Sequence, residues 1–303
     1  MGAYWNTAMT VTLPIVIAVL SGGLLQKYRN IQTKTLVDVS LYVLAPSLIL
    51  YALVDGSGSI SRILSVLGFT LVDMGILWCI SIVVGKVGRF DSSTRASITL
   101  TTVFSNCVNY GLPVTLLAFG TNGFSMAAIY IIPQIVLVNS LGIYIASNSS
   151  KSPLSSLVEV VKMPVVYASV AGIAMFAAHG HWPKGLDNSF HVLGDGYSAI
   201  VLLVLGAQLA KANWRDFKRT DLWLAVGLRL VIAPIVAKLT LVLLGIHGLL
   251  GSVLFVEASM PAAANAAIMI ERFGGNKRLV AMTVAVTTTI SFFILPVEIL
   301  MGS

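Results

Sequence analysis

The chain has 303 residues, 57% of them hydrophobic and 10% charged, with a mean hydropathy of +0.91 and a formal charge of +7. That balance lies far outside the range of a soluble domain, and no polar or linker-like stretch is left for a second one, so residues 1–303 read as one membrane domain. The basic residues occupy short loops between apolar stretches and form no stripe or tail, which argues against a nucleic-acid partner and makes them topology signals.

A helix needs about 20 apolar residues to cross the hydrocarbon core. Windows of that kind fall at 8–25, 36–53, 63–85, 96–119, 123–146, 160–178, 190–210, 222–246, 249–270 and 279–301. The first has a basic cluster after it and no basic residue before it, the reverse of a cleavable leader. Between the windows Lys and Arg alternate sharply. One set of loops holds fifteen, from Lys27, Arg29 and Lys34 to Arg272, Lys277 and Arg278, while the other holds only Arg62 and Lys184. By the positive-inside rule the rich loops face the cytoplasm, which puts both termini outside.

Five windows per half is an odd number, so related halves must enter the membrane in opposite senses. The halves do look related. LPIVIAVLSGGLL in window one and MPVVYASVAGIAM in window six share a proline followed eight residues later by a glycine: Pro14 and Gly22, then Pro164 and Gly172. We expect an all-α fold of ten transmembrane helices in a 5+5 inverted repeat, repeat one near 1–150 and repeat two near 151–303.

Windows four and nine each carry a proline among small residues and asparagines, in SNCVNYGLP around Pro113 and in EASMPAAAN around Pro261. Proline removes a backbone donor and frees carbonyls that lipid cannot satisfy, so such a fault is tolerated only where it is buried or lines a polar cavity. Matched faults in the two halves of a membrane protein mark the midplane site of a secondary transporter. Asn106, Asn109, Gly111 and Pro113 then meet Pro261 and Asn265 in one crossover site. Half-helix N-termini there suit an anion, and unwound carbonyls suit a cation.

Four ionisable residues fall near the middle of windows: Asp73, Arg229, Lys238 and Glu257. Each costs on the order of 2.5–3.5 kcal/mol to insert and therefore needs a partner or a wet cavity. Glu257, with Ser259 beside it at the second break, is the candidate coupling site for a proton or a cation. Asp73 joins that set, or serves only to neutralise Arg229 or Lys238; Arg229 is also a candidate for direct contact with a substrate carboxylate. Cys79 and Cys107 lack any paired spacing and read as buried packing residues. The four histidines fall in or beside external loops and read as solvated, with no metal site implied.

At the broken helices the chain resembles the auxin efflux carrier family, which includes the plant PIN-FORMED exporters and many prokaryotic carriers. Asn106-Cys-Val-Asn-Tyr-Gly111-Leu-Pro113 is similar to the plant N-x-x-x-x-G-x-P segment, and Met260-Pro261, Asn265 and Glu271-Arg272-Phe273-Gly274 are similar to the prokaryotic branch. The resemblance covers the full length. It implies a scaffold domain and a crossing transport domain, a homodimer, and export of small organic anions by an elevator-like motion, with Asn106 at the substrate carboxylate. The plant carriers have a long central loop and an Asp/Lys pair in span three, whereas here the central loop is short and Asp73 has no such lysine. The bile acid and sodium symporters share the fold, and Glu257 resembles their glutamate before the second break.

The sequence therefore points to a carrier of small carboxylates, auxin-like acids or dicarboxylates, in a prokaryotic plasma membrane. Its partners are the carboxylate and the lipid bilayer. No cofactor is called for, a sodium ion near Glu257 being left open, with a sodium-coupled importer as the alternative. No nucleophile and base set of an enzyme occurs.

Overall fold

The computed structural model describes residues 2–55, 60–146, 164–212, 217–273 and 275–302. Regular structure among them is helical throughout, with one isolated antiparallel bridge. The helices are α1 (Gly2–Arg29), α2 (Thr33–Val54), α3 (Ile60–Val87), α4 (Ser92–Val103), α5 (Cys107–Leu137, continued through a π turn, Val138–Gly142, and a last helical turn, Ile143–Ala146), α6 (Pro164–Ala177), α7 (Lys184–Ala210), α8 (Thr220–Leu244), α9 (Gly248–Ser259), α10 (Asn265–Phe273) and α11 (Lys277–Gly302). Seven of these, α1, α2, α3, α5, α7, α8 and α11, are long and apolar enough to cross a membrane. Windows four and nine fall short because the backbone leaves the helix inside them. Of window six only Pro164 onward is described, and the joint between the expected repeats, with Lys151 and Lys162, lies outside the described residues, as do Arg215 and Gly274.

Prolines shape the long helices in a regular way. Wide π-helical turns at Ala8–Thr12, Ser40–Leu44, Cys107–Gly111 and Leu228–Ile232 each end two residues before a proline, namely Pro14, Pro46, Pro113 and Pro234. The carbonyl that a proline ring meets is the one four residues back, and here it always lies at the centre of the π turn. The wider turn moves that carbonyl off the ring, so the helix passes through the proline without ending. Gly120 does interrupt α5: its φ of 66° and ψ of −164° are open to glycine alone, and they separate 107–119 from 121–137 at the boundary expected between windows four and five.

Two groups of helices result. In the first, α1 packs on α7, and α2 packs on both α6 and α7. A methyl added at Gly22 would land on the main chain of Leu203, and one at Gly206 on the carbonyl of Val19, so α1 and α7 touch backbone to backbone. Gly172 of α6 faces α2 less closely, against the Leu53 side chain and the Ile49 carbonyl. In the second group α3, α4, α8, α9, α10 and α11 surround the interrupted segments, and α5 lies against both groups.

Two expectations are corrected. Cys107 is buried, but Cys79 is exposed, on the α3 face that also presents Ile76 and Val83. In a bilayer that face meets lipid, and a small apolar side chain there needs no burial within the protein. Of the histidines, His191 is not a loop residue: it lies within α7 and stacks on Tyr51 with ring centroids 4.0 Å apart.

Candidate functional site

Between α4 and α5, and again between α9 and α10, the chain is extended. Phe104 has φ −98° and ψ 120°, and Met260 has φ −54° and ψ 151°. The two extended pieces cross and pair: the Asn106 amide donates to the Pro261 carbonyl at 2.8 Å and the Ala263 amide to the Phe104 carbonyl at 3.0 Å, flanking an antiparallel bridge between Ser105 and Ala262. The Ala262 amide donates to the Thr287 hydroxyl of α11 at 3.2 Å. The Asn106 carbonyl accepts from the Tyr110 and Gly111 amides at 3.1 and 3.0 Å. Main-chain groups that lipid would leave unsatisfied thus bond each other or a buried side chain, which is the condition for irregular backbone at membrane depth.

The carbonyls at the C-terminal ends of α4 and α9 share one partner. Arg229, 1% exposed in the π turn of α8, donates from Nη1 to the Thr102 carbonyl at 2.7 Å, from Nε to the Met260 carbonyl at 2.8 Å and from Nη2 to the Ala258 carbonyl. Asp73 and Glu298 stand within its electrostatic reach. The ion pair expected between Asp73 and Arg229 or Lys238 is not formed. Three of the five guanidinium N–H groups of Arg229 go to main-chain carbonyls instead, while an ion pair joins Arg219 to Asp221. Lys238 is exposed, and its ammonium reaches the Met301 carbonyl at 3.0 Å.

The opposite ends, the first turns of α5 and α10, border a cavity of about 760 Å³ including its open mouth. Asn106, Asn109 and Asn265 line it together with Ser105 and Gln134, and its apolar wall includes Leu41, Tyr42, Ile135 and Val138. A second cavity shares Asn109 and Asn265 and is lined by Gln208 and Lys211 at the end of α7. Asn106 is 3% exposed, and its Nδ2 has no hydrogen-bond partner within the protein. Behind this wall lies Glu257, fully buried in the last turn of α9. One of its carboxylate oxygens accepts from the Thr115 hydroxyl at 3.3 Å while Oε2 has no partner. Gly111 makes the room, since a Cβ there would overlap the Glu257 carboxylate.

The geometry thus brings Asn106, Asn109 and Asn265 to one cavity and keeps Glu257 and Gly111 in contact behind it. Ser259 is buried close by with a free hydroxyl, and Asp73 is buried across the crossing near Arg229. The prolines occupy unlike places. Pro261 lies in the extended piece, whereas Pro113 sits in the first turn of the second half-helix, the position where its missing N–H costs least. Sequence reasoning missed Glu298, 5% exposed in α11 with both oxygens unpartnered, and Gln134, whose amide donates to the Tyr130 hydroxyl at 2.6 Å. An acid two residues after Pro296 within the last window was the available signal for the first.

Long apolar helices around two interrupted and paired segments define an integral membrane transporter. The chain belongs to the auxin efflux carrier family: the family profile described as membrane transport protein matches residues 7–299. It is similar to an uncharacterized transporter of Methanothermobacter thermautotrophicus, 28% identical over 94% of this chain and 95% of the relative. It is also similar to an uncharacterized transporter of Methanocaldococcus jannaschii, 24% identical over 95% of this chain and 96% of the relative.

Proposed function

We propose that this transporter is a secondary active carrier of small organic anions, whose carboxylate binds at the crossing between the first turns of α5 and α10. The observation that carries the reading is the meeting of two half-helix N-termini and three asparagine amides at one cavity, with the Asn106 Nδ2 still free to donate. Each helix N-terminus is equivalent to roughly +0.5 charge, so two of them match one carboxylate. Among the described residues no Lys or Arg lines this cavity to meet a second charge. Monocarboxylates with an apolar, auxin-like body therefore fit better than dicarboxylates, with Leu41, Tyr42, Ile135 and Val138 against the body.

On this reading the ten windows form two five-span repeats of opposite orientation. The matched packing of Gly22 against α7 and of Gly172 against α2 supports it. The helices α1, α2, α6 and α7 act as scaffold, and the crossing group moves against them as an elevator in a homodimer. In the plasma membrane of a prokaryote, with both termini outside, Lys211 marks the cytoplasmic mouth of the second cavity, which suits loading for efflux. Purified carrier in liposomes should move labelled benzoate or indole-3-acetate, and Asn106→Ala and Asn265→Ala should each slow that transport while leaving the protein folded. Transport by both variants at the wild-type rate places the site elsewhere.

A second reading, a sodium-coupled importer, is favoured by Glu257, whose Oε2 lies unpartnered beside the unwound backbone. It requires uptake that depends on sodium.

A further inference from the structure

We propose that Arg229 is the resident cation of the crossing: its guanidinium takes the place a coupling ion would fill between the C-terminal ends of α4 and α9, and it ties the two broken helices into one body. The inference deepens the carrier reading above and rests on the crossing being its working centre. Two helix C-termini meet there, each equivalent to roughly −0.5 charge. One guanidinium neutralises both ends. Its three hydrogen bonds run to Thr102 on one half-helix and to Ala258 and Met260 on the other, so a single planar group spans the gap. Main-chain carbonyls converging from two unwound helices are the ligand set that a hard monovalent cation takes in crossing-helix carriers. Here they are already occupied by a side chain anchored in α8, itself packed on α9 and α3.

Two consequences follow. The cation cannot leave with each transport cycle, so it provides no sodium coupling. And the half-helix pairs cannot slide past each other, because separating them strips a buried charge of its partners. Arg229 is thus a positioning residue, acting on the substrate through the alignment of the first turns of α5 and α10.

The test uses the purified full chain and needs no substrate, so it fails or succeeds independently of Asn106 and Asn265, which test the anion reading. Thermal unfolding is followed in chloride salts of sodium, potassium, choline and guanidinium at equal millimolar concentration. Wild type should show the same Tm in sodium as in choline. Arg229→Ala should lose about 10 °C and regain part of it, saturably, with guanidinium or sodium but not with choline. Arg229→Lys, which keeps the charge, should stay insensitive to sodium, whereas Arg229→Gln, a donor without the charge, should become responsive. Saturable stabilisation by sodium that persists in a Glu257→Gln protein with Arg229 intact, and so does not arise at Glu257, overturns the proposal. So does an Arg229→Ala protein with no response to guanidinium or sodium, or identical salt behaviour of the Lys and Gln variants. Should the neutral variants fail to accumulate in the membrane, a Lys variant that accumulates upholds the charge requirement, and one that fails with them overturns it.

Discussion

At the residue scale the crossing is a set of polar groups sorted by the sign of the helix end they face. Arg229 meets the carbonyl ends, and Asn106, Asn109 and Asn265 border the amide ends. A hydrogen bond from a buried amide to a carboxylate contributes about 1.5–3 kcal/mol, so Asn106→Ala should weaken carboxylate binding by roughly ten- to a hundredfold. Binding isotherms of the two proteins check this, and equal affinities contradict it. Glu257 touches Thr115 and Gly111 within the protein and has one free oxygen. If it carries the coupling proton, Glu257→Gln mimics the protonated form, and transport measured from about pH 5 to 8, with and without sodium, loses its pH dependence while binding persists. Retention of every wild-type dependence removes Glu257 from the mechanism. The asparagines were legible in the sequence because amides are costly in an apolar helix and lie beside a proline. The work of Arg229 was not, because its partners are main-chain carbonyls, and no residue type reveals which carbonyls a break will leave open.

At the scale of elements, a proline did not by itself mark a break: Pro261 lies within one of the extended pieces, but other prolines lie in continuous helix. Proline can be absorbed by a π turn, as at Pro14, Pro46 and Pro234, and even Pro113 stands seven residues beyond the Asn106 at which the chain crosses. The deciding factor is pairing: a segment unwinds where a second extended segment can take its amides and carbonyls, and that partner comes from the other half of the chain. Glycine pairs were more informative than their sequence context suggested. Gly206→Val would force α7 off the main chain of α1, and overpacking of this kind costs about 1–3 kcal/mol or more, so the variant should unfold several degrees below wild type. An unchanged Tm would mean that α1 and α7 can separate freely. Tyr197 of α7 donates to the Val108 carbonyl at 2.9 Å, a bond from the scaffold to the crossing group. On the elevator reading it must break in each cycle, so Tyr197→Phe should change the transport rate more than the affinity. The opposite pattern would place Val108 and α7 in one rigid body.

For the molecule as a whole, orientation fixes which helix ends face the midplane. The partition of Lys and Arg predicts that a cysteine at Gly185 reacts with an impermeant reagent added from outside, while cysteines at Ser92 and Asn276 do not; the reverse labelling overturns the topology. The all-helical fold and membrane setting could be read from composition and window length, since both follow from the thickness and dryness of the bilayer. The joint packing of α1, α2, α6 and α7 could not, because at membrane depth lipid-facing and protein-facing sides are both apolar and periodicity no longer separates them. On the proposed reading the two amide ends at the crossing bind one carboxylate. The direct measurement is the thermal stability of purified wild type and of the Asn106→Ala/Asn265→Ala double variant, each titrated with benzoate, indole-3-acetate and the corresponding uncharged amides. Wild type should be stabilised saturably by a carboxylate and not by its amide, and the double variant by neither. Equal stabilisation of both proteins, or equal stabilisation by acid and amide, would contradict that reading.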